Sequence, residues 1–242
     1  MLIESFLDYL RLERNYSERT IVSYQTDLRE FEGYLKKTES ELDWKKVHAD
    51  HVRNWMVHLM EDGKASTSVN RKLSSLRSFY RFLLRKKKVT VNPMLKVVGP
   101  KKKKPLPFFV REKDMNRLLD EIPFGEGFEG CRDRTILEVF YATGMRLSEL
   151  IGLNDVDVDF SAKLIKVTGK RNKQRLIPFG KELEENLNLY IKVRNEAFPD
   201  GAECFFVLKN GKRMYPMEVY RLVKRNLSKV VSLKKRSPHV LL

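Results

Sequence analysis

The N-terminal part of the chain carries four apolar stripes at helical spacing. Ile3, Phe6, Leu7 and Leu10 form the first. Ile21, Tyr24, Leu28, Phe31 and Leu35 form the second, after Ser17, a residue suited to capping a helix. The third, Val52, Trp55, Met56, Leu59 and Met60, runs into Gly63, a natural helix stop. In the fourth, Val69, Leu73, Leu76, Tyr80 and Leu83 make the apolar face, while Arg77, Arg81 and Arg85 recur every four residues on another face. Beyond the linker the pattern is mixed. Helical patterns cover Glu112 to Ile122 and Asp133 to Ala142, and Thr143-Gly144 breaks the run before Leu147, Leu150 and Ile151. The period then shortens to that of strands at 164–167 and 174–177, joined across Gly169-Lys170-Arg171-Asn172 as a hairpin. A further strand is expected over Cys204 to Leu208, followed by a turn at Asn210-Gly211 and a helix from Met217 to Val231. The fold class expected is mainly α with a small β-hairpin sheet (α+β).

Length and punctuation divide the chain. With 242 residues two domains are expected. Gly99-Pro100, Lys101, Lys102, Lys103, Lys104 and Pro105-Leu106-Pro107 read as an extended basic linker, because proline opposes regular structure and like charges repel. The boundaries are 1–98, a helical domain; 99–107, the Pro/Lys linker; and 108–242, the second domain.

Charge points to a polyanion. Lys and Arg total 48 against 32 acids, a formal charge of +16. From Gly63 through Arg111 there is no Asp or Glu, although a solvated surface normally mixes both signs. Arg71, Lys72, Arg77, Arg81 and Arg85 fall within this block, and guanidinium groups along a helix suit DNA phosphates and the major groove. The linker lysines suit a phosphate backbone. Other classes find no support. No apolar run has the length of a membrane span, no secretory signal is visible, and a cytoplasmic, nucleoid-associated protein is expected. Cys131 and Cys204 read as buried thiols. His48, His51 and His58 lack a matching ligand set and read as ordinary helix-region residues, not a metal site.

Two stretches carry candidate chemistry. ATGMRLSEL (142–150) places Arg146 at a helix start directly after a glycine break, with Glu149 three residues on as a buttress. VTGKRNKQRLIPF (167–179) places Lys170 in a hairpin turn, with Lys173 and Arg175 close behind as further candidate DNA contacts, and its order is not that of a Walker loop. Together with SPHVL (237–241), in this order, these motifs closely resemble the tyrosine recombinases, in the Xer and phage-integrase branch. The N-terminal pattern, including SVNRKLSSLRSFYRFL (68–83), resembles that family's helical, SAM-like core-binding domain.

The resemblance implies that Arg146 is the first catalytic arginine, Lys170 the hairpin lysine and His239 the first histidine of an HxxR motif. It implies a clamp on double-stranded DNA and phosphoryl transfer, without metal or cofactor, through a 3′-phosphotyrosyl intermediate. A homotetramer, or a heterotetramer with a related recombinase, would assemble on the DNA. Two departures stand out. Arg171 occupies a turn position where the family usually has glycine. Leu242 stands where HxxR requires arginine, and the last tyrosine, Tyr220, precedes the motif and does not match the nucleophile. The polypeptide is therefore expected to be C-terminally truncated, inactive in cleavage alone, and to expose apolar surface near Leu241 and Leu242. A non-catalytic protein occupying recombination sites is the alternative; a general RNA-binding protein is a weaker one, since no RNA-module signature occurs.

Overall fold

The computed structural model describes residues 2–39, 43–101, 109–169, 172–231 and 237–241, with the backbone alone at 239. The chain divides into two compact units, Met1–Pro105 and Leu106–Leu242.

The first unit is helical. α1 (Leu2–Asp8) runs into a π-helical turn (Tyr9–Glu13) and is followed by α2 (Glu18–Thr38), α3 (Ala49–Glu61) and α4 (Ser66–Arg85). Ser17 caps α2 by accepting the N–H of Thr20. Gly63, at φ +75°, turns the chain out of α3, a conformation that glycine adopts without a Cβ penalty. The predicted stripes converge on one core with Phe6, Phe31, Trp55, Phe79 and Tyr80 at its centre. Met60 departs from its stripe and is exposed. After α4 a 3₁₀ turn (Pro93–Lys96) leads back along the helix. Arg77 Nη2 donates to Val97 O at 3.1 Å and Asn70 Nδ2 to Pro100 O at 2.8 Å.

The second unit combines α5 (Glu112–Asn116, continued by a π-helical turn to Glu121), α6 (Gly127–Thr143), α7 (Leu147–Gly152), α8 (Lys181–Ala197) and α9 (Pro216–Leu227) with a three-stranded antiparallel sheet. Its strands are β1 (Val158–Asp159), β2 (Leu164–Thr168) and β3 (Gln174–Pro178), in the order β1-β2-β3. The predicted hairpin forms with Ile165 opposite Ile177 and Val167 opposite Arg175. Gly144 (φ +59°) closes α6, its N–H donating to Phe140 O at 3.0 Å, and so fixes where α7 begins.

The structure corrects several expectations. α6 begins at Gly127 rather than near Asp133, and α8 and β1 were not anticipated. Cys204 to Leu208 does not form a strand beyond an isolated bridge between Val207 and Arg213. Cys204, Phe205, Phe206 and Val207 are all buried, and side chains replace a partner strand in satisfying their carbonyls. Tyr190 Oη donates to Phe205 O at 2.9 Å, Arg194 Nη1 to the same oxygen at 3.1 Å, and Arg132 Nη1 to Val207 O at 3.2 Å. Cys204 is buried as expected, whereas Cys131 is only half-buried. Leu241 is also buried, with Val240 O accepting the N–H of Val110 at 3.1 Å, so the apolar surface expected at Leu241 is covered by the unit's own core. Leu242 lies outside the described residues.

Candidate active site and basic helix face

The candidate active site is organised by a carboxylate. Arg146 is the residue before the first turn of α7, and Glu149 reaches back to it as in a capping box, accepting its backbone N–H at 2.8 Å. The side chain of Glu149 is fully buried, yet it lies between two guanidinium groups. Arg146 Nη1 donates to Oε1 at 2.9 Å. Arg175, on β3, grips the same carboxylate with both arms, Nη1 to Oε1 at 2.6 Å and Nη2 to Oε2 at 2.9 Å. Such forked, charge-assisted pairing fixes orientation as well as charge. Burial would push the Glu149 carboxyl up. The bonds from Arg175, and from the backbone and side chain of Arg146, outweigh it and hold the group below the ordinary glutamate range.

Glu149 thus ties a helix start to a sheet strand. The two arginines keep their outer surfaces free: the Arg146 side chain is 64% exposed and that of Arg175 41%. Two guanidinium groups facing water from a common buried anchor can bind an anion with little reordering. The hairpin closes on the same group. Gly169 N–H donates to Lys173 O at 2.7 Å, and a Cβ at Gly169 would stand 3.1 Å from Glu149 Oε1.

The sequence reading takes Arg175 as a DNA contact and does not foresee its grip on Glu149. The alternation of β3 carried the signal, since Arg175 shares the face of buried Ile177 and pairs with buried Val167. Lys173 is exposed beside the turn. Lys170 lies outside the described residues, as does Arg171. His239 is placed by its backbone in a 3₁₀ turn, Pro238–Val240, and its side chain is not described.

The first unit presents the basic face of α4. Arg81 and Arg85 are exposed; Arg77 is half-buried through its bond to Val97 O. Arg71 is half-exposed and held by Asp27 through Nη1 at 2.5 Å and Nη2 at 2.7 Å. Lys72 requires a correction. Its side chain is only 8% exposed and its ammonium is paired with Asp27 and Glu30, which leaves it no open face for a phosphate. Residue 72 stands three positions after Val69 and four before Leu76, beside the apolar stripe, and its long stem is buried along the core edge. Lys101 is exposed at the end of the segment pinned to α4, and Lys102, Lys103 and Lys104 lie outside the described residues.

Comparison with known proteins matches both units. The phage integrase N-terminal SAM-like domain covers residues 3–87, and the phage integrase family model covers residues 109–241. Tyrosine recombinase XerC of Chlorobaculum parvum is 37% identical over 265 aligned residues, spanning 99% of this chain and 79% of the relative. XerC of Pediococcus pentosaceus is 42% identical over 197 residues, spanning 81% and 65%. Among solved structures, the Tn1549 transposon integrase in complex with transposon right end DNA superposes with a TM-score of 0.73 at 20% identity, covering 99% of this chain and 83% of that one. A lambda integrase dimer bound to a COC′ core site gives 0.72 at 15% identity, covering 99% and 82%. With both units matched and the arginine, hairpin and histidine motifs in their order, the chain belongs to the phage integrase family, among its Xer-like tyrosine recombinases.

Proposed function

We propose that the protein acts on duplex DNA as a site-specific recombinase, with Arg146 and Arg175 presenting guanidinium groups to the phosphate that is broken and rejoined. The observation that carries this reading is the buried Glu149 carboxylate, which locks both arginines while leaving them open to solvent. In the reaction a tyrosine hydroxyl forms a bond to phosphorus as the P–O5′ bond breaks. The 5′ oxygen takes up a proton, and the energy of the linkage is retained in the phosphotyrosine. Arg146 would hold the non-bridging oxygens, where negative charge builds up. Lys170 would protonate the departing oxygen, and His239 would donate to the phosphate. The exposed arginines of α4, together with Lys101 to Lys104, would add contacts to the DNA backbone. Lambda integrase is known as a tetramer bound to a Holliday junction; by analogy, four copies, identical or paired with a related recombinase, would act together.

A nicked duplex that traps the covalent intermediate tests the proposal. The full-length native protein is expected to become linked to the DNA and to lose the linkage on Arg146→Gln substitution. A full-length protein that binds but never forms an adduct would overturn the enzymatic reading in favour of a site-occupying DNA-binding protein.

A further inference from the structure

The turn between α1 and α2 is a left-handed helix end. Asn15 adopts φ +49°, Tyr16 N–H donates to Leu10 O at 3.0 Å, and Arg14 N–H donates to Tyr9 O at 3.2 Å. This left-handed end of the π-helical turn sets Arg14 and Tyr16 at a cleft whose opposite wall is α4. The cleft has a volume of about 250 Å³. At ~30 Å³ per water molecule it has room for roughly eight waters, more than a bare phosphate needs.

Its lining is asymmetric. Leu10 and Phe82, both buried, belong to an apolar floor on which Tyr9 stacks, its ring 5.1 Å from that of Phe82. Arg14, Arg81 and Arg85 supply cations to the lining, and no carboxylate is among its described residues. Arg85 is held over the Tyr9 ring at 4.2 Å, which fixes its guanidinium without using its outward donors. Among the described residues its acidic partner is Glu13, at 3.8 Å, shared with Lys86 at 3.7 Å. Arg81 anchors its Nε on Arg77 O at 3.3 Å, leaving the guanidinium end available. Tyr16 and Ser78 add neutral hydroxyls. An apolar floor beside three guanidinium groups matches a sugar joined to a phosphate.

We infer that this cleft seats one phosphate of the DNA backbone with its deoxyribose, the sugar on the Leu10 and Phe82 floor and the phosphate among Arg14, Arg81 and Arg85. The inference rests on the DNA-binding reading above and adds Arg14, a contact outside the basic block of α4.

The test is the salt dependence of duplex binding by the full 242-residue chain, using a duplex selected for tight binding from a random library. Arg14→Gln is expected to weaken binding and to lower the log–log salt slope by about 0.9. Arg14→Lys, which keeps the charge, is expected to retain the slope. One neutral methylphosphonate in the duplex is expected to weaken wild-type binding at least as much and to have a smaller effect on Arg14→Gln, in which only Arg81 and Arg85 still meet that phosphate. A deoxynucleoside monophosphate at millimolar concentration is expected not to displace the duplex. Unchanged affinity and slope for Arg14→Gln, or fully additive effects at every methylphosphonate position, would overturn the inference while leaving DNA binding intact. Displacement by the mononucleotide would overturn it in favour of a free-nucleotide site. Failure of the wild-type chain to bind any duplex would instead remove the reading on which it rests.

Discussion

Glu149→Gln is the substitution that reports most directly on how the candidate site is built. It keeps the shape of the side chain but removes the charge that four donated hydrogen bonds converge on, at 2.6, 2.8, 2.9 and 2.9 Å. Removing one partner of a buried ion pair typically costs about 3–5 kcal/mol. Here both guanidinium groups are partly exposed, so water re-solvates them and the loss falls to about 2–3 kcal/mol. At roughly 3–4 °C per kcal/mol for a unit of this size, the melting transition of residues 106–242 should fall by about 6–12 °C at pH 7. The pH dependence has a definite sign. The folded-state pKa of Glu149 lies below the ordinary value, so its stabilisation is fully present above the unfolded value near ~4.3 and is lost as pH falls through the folded one. The difference in melting temperature between wild type and Glu149→Gln, followed by calorimetry, should therefore be constant from pH 7 to pH 5 and shrink in stronger acid. A shift below about 2 °C at pH 7, the range of an ordinary surface change, would refute the reasoning. So would a gap that stays constant into acid.

Three further outcomes follow from the geometry. Arg81→Gln should lower the salt slope of DNA binding by about 0.9, whereas Lys72→Met should leave it unchanged, because the Lys72 ammonium already serves Asp27 and Glu30; equal losses would restore Lys72 as a DNA contact. Asp27→Ala strands Arg71, Lys72 and the Ser75 hydroxyl, whose bond to Asp27 is 2.6 Å, and should reduce the stability of the first unit by about 3–5 kcal/mol in urea unfolding. Gly169→Ala forces a methyl toward Glu149 Oε1 and should cost about 1–3 kcal/mol, with partial recovery in the double variant carrying Glu149→Asp, whose shorter side chain withdraws the carboxylate. Simple additivity of the two changes would show that no such contact exists.

The four N-terminal helices were legible because each buries one stripe at helical spacing, and the hairpin because alternation and turn residues agree. α8 was also written in the sequence, since Leu183, Leu187, Tyr190 and Arg194 lie on its buried face; buried Arg194 disguised that face as polar. Its guanidinium is buried because Asp155 and the Cys204 and Phe205 carbonyls receive it. The same side-chain bonds explain why an apolar run rich in β-forming residues, Cys204 to Leu208, is not a strand. Local propensity cannot register a partner supplied by a distant helix. At the candidate site, Arg146 and Glu149 were readable from their three-residue spacing. The grip of Arg175 on Glu149 was not, because it joins residues 26 apart through the register of a sheet. Lys72 misled for the opposite reason. A lysine in an acid-free stretch looks exposed, yet its acids come from another helix, α2.

Ethylation interference on a selected duplex, comparing wild type with Arg146→Gln, tests most directly whether the anchored arginine meets the reacting phosphate. One phosphate in each half-site is expected to block wild-type binding when ethylated and to become indifferent in the variant, with the rest of the pattern preserved. Identical interference patterns for the two proteins would contradict the account.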